Sequence, residues 1–226
     1  AAGLILIGTA GLTGCSGKTA EPVSRSSFLL NTFVTVTLYD SQDQEILDGC
    51  MELCADYEKR FSKTMAGSEI YEMNHRAQGE RVFSLSDDTA QLLSEALEYC
   101  RLSEGAFDIT IEPLSRLWDF TGESPHVPPE DRIRNELGKV GYKNLALEGK
   151  KLTFLNDETT IDLGAIAKGF IADRLKEYLE AQGVESAIIN LGGNVLCVGS
   201  RPNGEPFKIG LQKPPVCMNA ILRRVG

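Results

Sequence analysis

The sequence is poor in positive charge, in histidine and in long apolar runs. Lys and Arg number 23 against 32 Asp and Glu, for a net charge of -9. That argues against nucleic acid as the main partner, because a phosphate backbone demands clustered cations. The acidity suits a cation-dependent site, since carboxylates and carbonyls are the ligands magnesium prefers. Histidine occurs only as His75 and His126, and neither stands at zinc-like spacing to a cysteine pair. The six cysteines do not form the pattern of a disulfide scaffold. No tandem repeat, low-complexity tract, Walker loop or Gly-x-Gly-x-x-Gly fingerprint is present.

What is there is ordinary in bulk. Hydrophobic residues make up 42% and charged residues 24% of 226, enough for one large domain or two small ones with a core. Residues 1–10 are small and apolar. A run of roughly ten such residues is short of the about 20 that span a bilayer, and fits the apolar region of a secretory signal. With no initiator Met and no basic region ahead of it, the start is expected to be clipped. Leu12-Thr13-Gly14-Cys15 is similar to a bacterial lipobox, which implies that Cys15 is lipidated; a plain signal peptide with an incidental cysteine is the alternative. Residues 1–15 are thus expected to be a signal and lipobox, and 16–27, which are polar, a tether.

Beyond the tether, residues 28–39 alternate, with Val34, Val36 and Leu38 on one face, and predict a half-buried strand. Residues 44–61 predict a helix whose apolar face carries Cys50 and Cys54 as buried thiols. Ser86 caps a second helix that ends by Gly105, and Pro128-Pro129 open a third. Residues 145–147 and 152–155 predict a hairpin, followed by a short strand through Ile161 and a helix to about Gln182 stopped by Gly183. Strands are predicted at 187–191, 195–198 and 207–211. Hairpins mixed with helices favour an α+β fold, with largely antiparallel sheets, over a doubly wound parallel sheet. After Lys213-Pro214 the pattern fades, and 215–226 form an atypical tail.

Chemistry concentrates at Asp162-Leu163-Gly164-Ala165-Ile166-Ala167-Lys168-Gly169. Small residues there let a ligand approach the backbone. The helix that follows offers free N–H groups and a positive dipole end to an anion, and Lys168 adds a cation. Asp162 would repel a diphosphate unless it meets a hydroxyl or amino group, or a cation intervenes. A tight strand-to-helix turn packed with small residues is the other reading. Asn190-Leu191-Gly192-Gly193-Asn194 is a second such turn, either a ligand approach or a bare hairpin. Gly105-Ala106-Phe107-Asp108-Ile109-Thr110 sets Phe107 beside Asp108, as a ring-and-ribose contact or as a core Phe and a turn Asp.

Together with Asn31-Thr32-Phe33-Val34-Thr35-Val36-Thr37, Phe61-Ser62-Lys63-Thr64, Ser68-Glu69-Ile70, Pro113-Leu114 and Trp118-Asp119-Phe120, these segments stand in the order of the ApbE family, FAD:protein FMN transferases, which residues 28–214 resemble. The resemblance implies that Ala106, Phe107, Asp108, Asp162 and Lys168 contact FAD and that the Ala165 carbonyl binds Mg2+. It implies transfer of FMN from FAD to a Thr or Ser hydroxyl of an acceptor flavoprotein, with AMP released, by a lipid-anchored protein on the outer face of the bacterial plasma membrane. Leu30 stands where the family often has Met, and Thr64 where some members have Tyr. The family continues for about another third of its length with further magnesium ligands; nothing after Lys213 resembles that part, so the chain is expected to be C-terminally truncated. The catalytic residue is not named by this segment. Hydrolysis of FAD to FMN and AMP, a non-enzymatic FAD-binding protein and an inactive fragment are the alternatives.

Overall fold

A computed structural model describes residues 21–120, 122 and 125–211. Cys15, with the rest of 1–15, and the tail 215–226 lie outside the described residues.

The described chain opens as a hairpin, β1 (Val23–Leu29) and β2 (Thr32–Leu38), closed at Leu29↔Thr32. Its turn residues Leu30 and Asn31 both have positive φ, 55° and 56°, the backbone twist that two-residue hairpins require. Two expectations change here. The strand expected over 28–39 is two arms and a turn, and residues 23–27 of the expected tether are paired strand. Their composition is polar because β1 is an edge strand, whose outward side chains face water; Ser26 and Thr35 share a hydroxyl hydrogen bond of 2.8 Å across the pair.

α1 (Gln44–Phe61) takes the predicted bounds. Asp43 caps it by accepting from the Glu45 N–H, and Lys59 and Arg60 sit in its last turn, where cations oppose the helix dipole. Cys50 and Cys54 are buried free thiols, and burial pushes both up to about 12. α2 (Glu69–Asn74) is capped by Ser68 and α3 (Asp87–Leu102) by Ser86. Between them lies β3 (Val82–Ser84), and after α3 come α4 (Glu112–Ser115), α5 (Glu130–Leu137) and the predicted hairpin β4 (Leu145–Glu148) and β5 (Lys151–Phe154). α6 (Ala167–Ala181) leads to a second hairpin, β6 (Ser186–Leu191) and β7 (Asn194–Gly199).

The strands form two antiparallel sheets, ordered β1-β2-β6-β7 and β3-β5-β4. The α+β architecture with antiparallel sheets is the one expected. Val34, Val36 and Leu38 share the buried face of the larger sheet with Ala187, Ile189 and Leu191. α1 and α6 pack on each other and on this sheet, and their buried faces join the same core as Leu92, Leu93 and Phe154. Residues 207–211 form no strand. Ile209 and Leu211 are exposed, and what holds Phe207 is its ring against Tyr39, 5.1 Å away. Alternation there is not matched by a pairing edge among the described residues.

Candidate functional site

The strand predicted through Ile161 is absent as a strand, but the backbone groups of Ile161 are paired. The Asn74 side chain, at the end of α2, accepts from the Ile161 N–H at 2.7 Å and donates to the Ile161 carbonyl at 2.8 Å. One side-chain amide thus does for Ile161 what a neighbouring strand would do. The Asp162 N–H donates to the Ile109 carbonyl at 2.8 Å. Ile161 and Leu163 are buried on either side, so the Asp162 side chain is turned to the opposite side from its two anchors.

Asp162 meets a cation within the chain. Lys63 Nζ donates to its Oδ2 at 2.7 Å, Ser115 Oγ to the same oxygen at 3.1 Å, and the Gly164 N–H to Oδ1 at 2.9 Å. Burial works against its charge, but the Lys63 bond, the Gly164 amide and Ser115 outweigh it, and the carboxyl is held below the ordinary carboxylate value. A Cβ on Gly164 would meet Oδ1 at 3.0 Å, so glycine permits this turn. α6 then starts without a side-chain cap, unlike α1, α2 and α3. Its first N–H groups are left to backbone turns, with Ile166 and Ala167 both donating to Leu163, and to whatever occupies the space beyond.

That space is a cavity of about 770 Å³, a usual size for a small-molecule site. Asp162, Gly164 and Lys168 line it from the start of α6, Ser62, Lys63 and Thr64 from the end of α1, and Phe28, Leu30 and Asn31 from the first hairpin. Of the residues expected to contact FAD, the structure therefore brings Asp162 and Lys168 together. Ala165 is exposed in the adjoining turn but does not line the cavity. Ala106, Phe107 and Asp108 do not line it either. Asp108 accepts from the Thr110 N–H at 2.8 Å, the Thr110 hydroxyl at 2.6 Å and the Tyr142 N–H at 2.8 Å, and Phe107 packs against the core. Their loop reaches the site through the Ile109 carbonyl that holds Asp162. Leu30 and Thr64, the two departures from the family pattern, both line the cavity. The turn at 190–194 is a hairpin turn, with Gly192 and Gly193 at φ 63° and 93°. What approaches Gly192 closely is Thr32.

Lys63 carries no role in the sequence reading. It stands in a quoted motif, but 99 residues separate it from Asp162, and no spacing rule reaches that far. Among the described residues no group of three or more His, Cys, Asp or Glu could hold a metal ion.

The profile of the ApbE family matches residues 30–225. This chain belongs to the ApbE family. The match continues past Pro214 into the stretch where the sequence pattern fades. The chain is 32% identical to the FAD:protein FMN transferase of Vibrio cholerae serotype O1, over 93% of this chain and 64% of that protein. It is 33% identical to that of Klebsiella pneumoniae, over 88% of this chain and 61% of that protein. It thus spans about three fifths of the length of the curated relatives it matches. Among solved structures, the flavin transferase ApbE of Vibrio cholerae aligns with a TM-score of 0.79 at 27% identity, over 86% of this chain and 64% of that one. The ApbE protein of Thermotoga maritima aligns at 0.73 and 28%, over 82% and 61%.

Proposed function

We propose that the whole protein is a magnesium-dependent FAD:protein FMN transferase. A Thr or Ser hydroxyl of an acceptor flavoprotein attacks the FMN phosphorus of FAD, the bond to the AMP phosphate breaks, and AMP leaves. The observation that carries this reading is the cavity at the uncapped start of α6, with Lys63, Lys168 and a paired Asp162 on its wall, in a chain of this family. Anions are stabilised by free N–H groups and nearby ammonium groups, and phosphoryl transfer depends mainly on positioning and charge neutralisation. Lys63 removes the objection that Asp162 would repel the diphosphate, because it neutralises the carboxylate before the nucleotide arrives. Ala106, Phe107 and Asp108 support the site from behind through Ile109.

Magnesium does not fit the described residues by themselves. Asp162 is committed to Lys63, and the Ala165 carbonyl would be a single ligand where an octahedral ion takes six. The metal belongs to the reading as a partner of the complete protein. Anchoring through Cys15 at the outer face of the plasma membrane completes the proposal.

The test is incubation of the complete protein with FAD, Mg2+ and a Thr- or Ser-containing acceptor flavoprotein. Acceptor mass should rise by one FMN residue, with one AMP per acceptor. FMN and AMP formed without acceptor labelling would replace transfer by hydrolysis, and FAD retained without AMP release would leave only a binding protein.

A further inference from the structure

Glu136 is a buried carboxylate that does not line the cavity. It is the one buried residue of α5, where Ile133 is only half-buried, so charge rather than an apolar face holds this helix. A buried charge is costly unless it is paired and hydrogen-bonded. Glu136 accepts from Lys139 Nζ at 2.8 Å and from Arg116 Nη2 at 3.2 Å.

Arg116 stands between two carboxylates. Its Nη1 is 3.9 Å from Glu112 Oε2, one helical turn back, close enough for attraction and too far for a hydrogen bond. The same Glu112 oxygen accepts from the Thr160 hydroxyl at 2.5 Å. Thr160 lies two residues before Asp162, and Ser115, beside Arg116, donates to Asp162 Oδ2 at 3.1 Å. Arg116 is thus bonded to a carboxylate that has no contact with the cavity. It is held off one that fixes the segment leading to Asp162.

We infer that Glu136 is a positioning residue of the site: by holding Arg116 it leaves Glu112 to Thr160, and so fixes the approach to Asp162. The inference rests on the FAD reading of the cavity, in which Asp162 contacts the nucleotide, and adds to it a residue that acts from outside. A guanidinium pairs with a carboxylate more strongly than a neutral hydroxyl does. Without the Glu136 charge, Arg116 closes the 3.9 Å gap and draws Glu112 away from Thr160. The segment that presents Asp162 then loses one of its fixings. Groups that share such a network are coupled rather than additive.

The test uses the complete protein and its Glu136→Gln, Arg116→Met and doubly substituted variants. Equilibrium dialysis gives FAD affinity well below the melting temperature of each, so that all are folded. Glu136→Gln keeps the side chain's shape, removes its charge and leaves Lys139 with Glu158, 3.4 Å away. It should weaken FAD about fivefold. Arg116→Met leaves Glu112 with Thr160 and Glu136 with Lys139, and should change FAD affinity by less than about twofold. In the double variant the freed guanidinium is gone, so affinity should return to within about twofold of the wild type. A merely structural role predicts the reverse, because the double variant loses more contacts than Glu136→Gln and regains none. Unchanged affinity in Glu136→Gln, a double variant as weak as Glu136→Gln, or Arg116→Met as weak as Glu136→Gln overturns the role of Glu136 and leaves the cavity's function standing. A complete protein that binds no FAD overturns the FAD reading, and the role of Glu136 with it.

Discussion

Asp162 and Lys63 form a partly buried ion pair, with side chains 19% and 30% exposed. Removing the ammonium leaves a carboxylate that burial disfavours. Lys63→Met should cost about 1–2 kcal/mol at pH 7, measured by urea unfolding. The sign of the pH effect follows from the direction of the shift. The Asp162 carboxyl is held below its ordinary 3.8, so its contribution is present above that value and lost as pH falls through the lower folded value. Wild-type stability should therefore fall on acidification below about pH 4 more steeply than that of Lys63→Met; parallel curves would remove Asp162 from the account. Asn74 is the second residue to test. Asn74→Ala frees both backbone groups of Ile161 and should cost about 2–3 kcal/mol, with weaker FAD binding because the segment that presents Asp162 loosens beside it. The sequence left Asp162 either to meet a hydroxyl or amino group or to have a cation intervene, and it placed small residues after it. It did not show that Lys63 is the partner, because the pairing is made by the fold across distant segments, and Asn74 was silent for the same reason.

Helices were the most legible elements. α1 and α3 announce themselves by apolar spacing, and α3 also by Ser86 ahead of an acidic first turn, all local signals. Strands were legible where one face is buried, as in β2 and β6, and not where the strand is a polar edge, as in β1. Residues 207–211 alternate without a partner, and alternation is a necessary sign of a strand rather than a sufficient one. Of the site, Asp162 and Lys168 were legible from small residues before a helix. At the hairpin tip Leu30 was legible only as a departure from the family pattern, and Phe28 was not, since it reaches the cavity only once β1 has paired. The hairpin turn at Gly192-Gly193 separates two costs. A Cβ at Gly192 would stand 2.2 Å from Thr32 Oγ1 at a φ of +63°, whereas one at Gly193 meets nothing within 4 Å at +93°. Gly192→Ala should lose about 2–3 kcal/mol through crowding and strain together, and Gly193→Ala about 1 kcal/mol through backbone strain alone. Equal shifts in urea midpoint would mean that Thr32 moves aside freely.

For the molecule as a whole, the nucleotide and the fold are linked by mass action. FAD that binds only the folded chain at a hundredfold excess over its Kd adds about 2.7 kcal/mol, or about 5–10 °C in Tm for a chain of this length. Differential scanning fluorimetry with an FAD titration, read by a dye distinct from flavin emission, measures it; a Tm that stays flat would sink the assignment of the cavity. The core that the ligand would stabilise also holds Cys50 and Cys54, raised to about 12. At pH 8 such a thiol is ionised to about one part in ten thousand, so an alkylating reagent finds it essentially only when α1 has lifted from the sheet. The pair is a built-in stopwatch: the rate at which these sulfurs are alkylated times the opening of the core in the native chain, with no label added, and FAD should slow it by the same factor by which it holds the core shut.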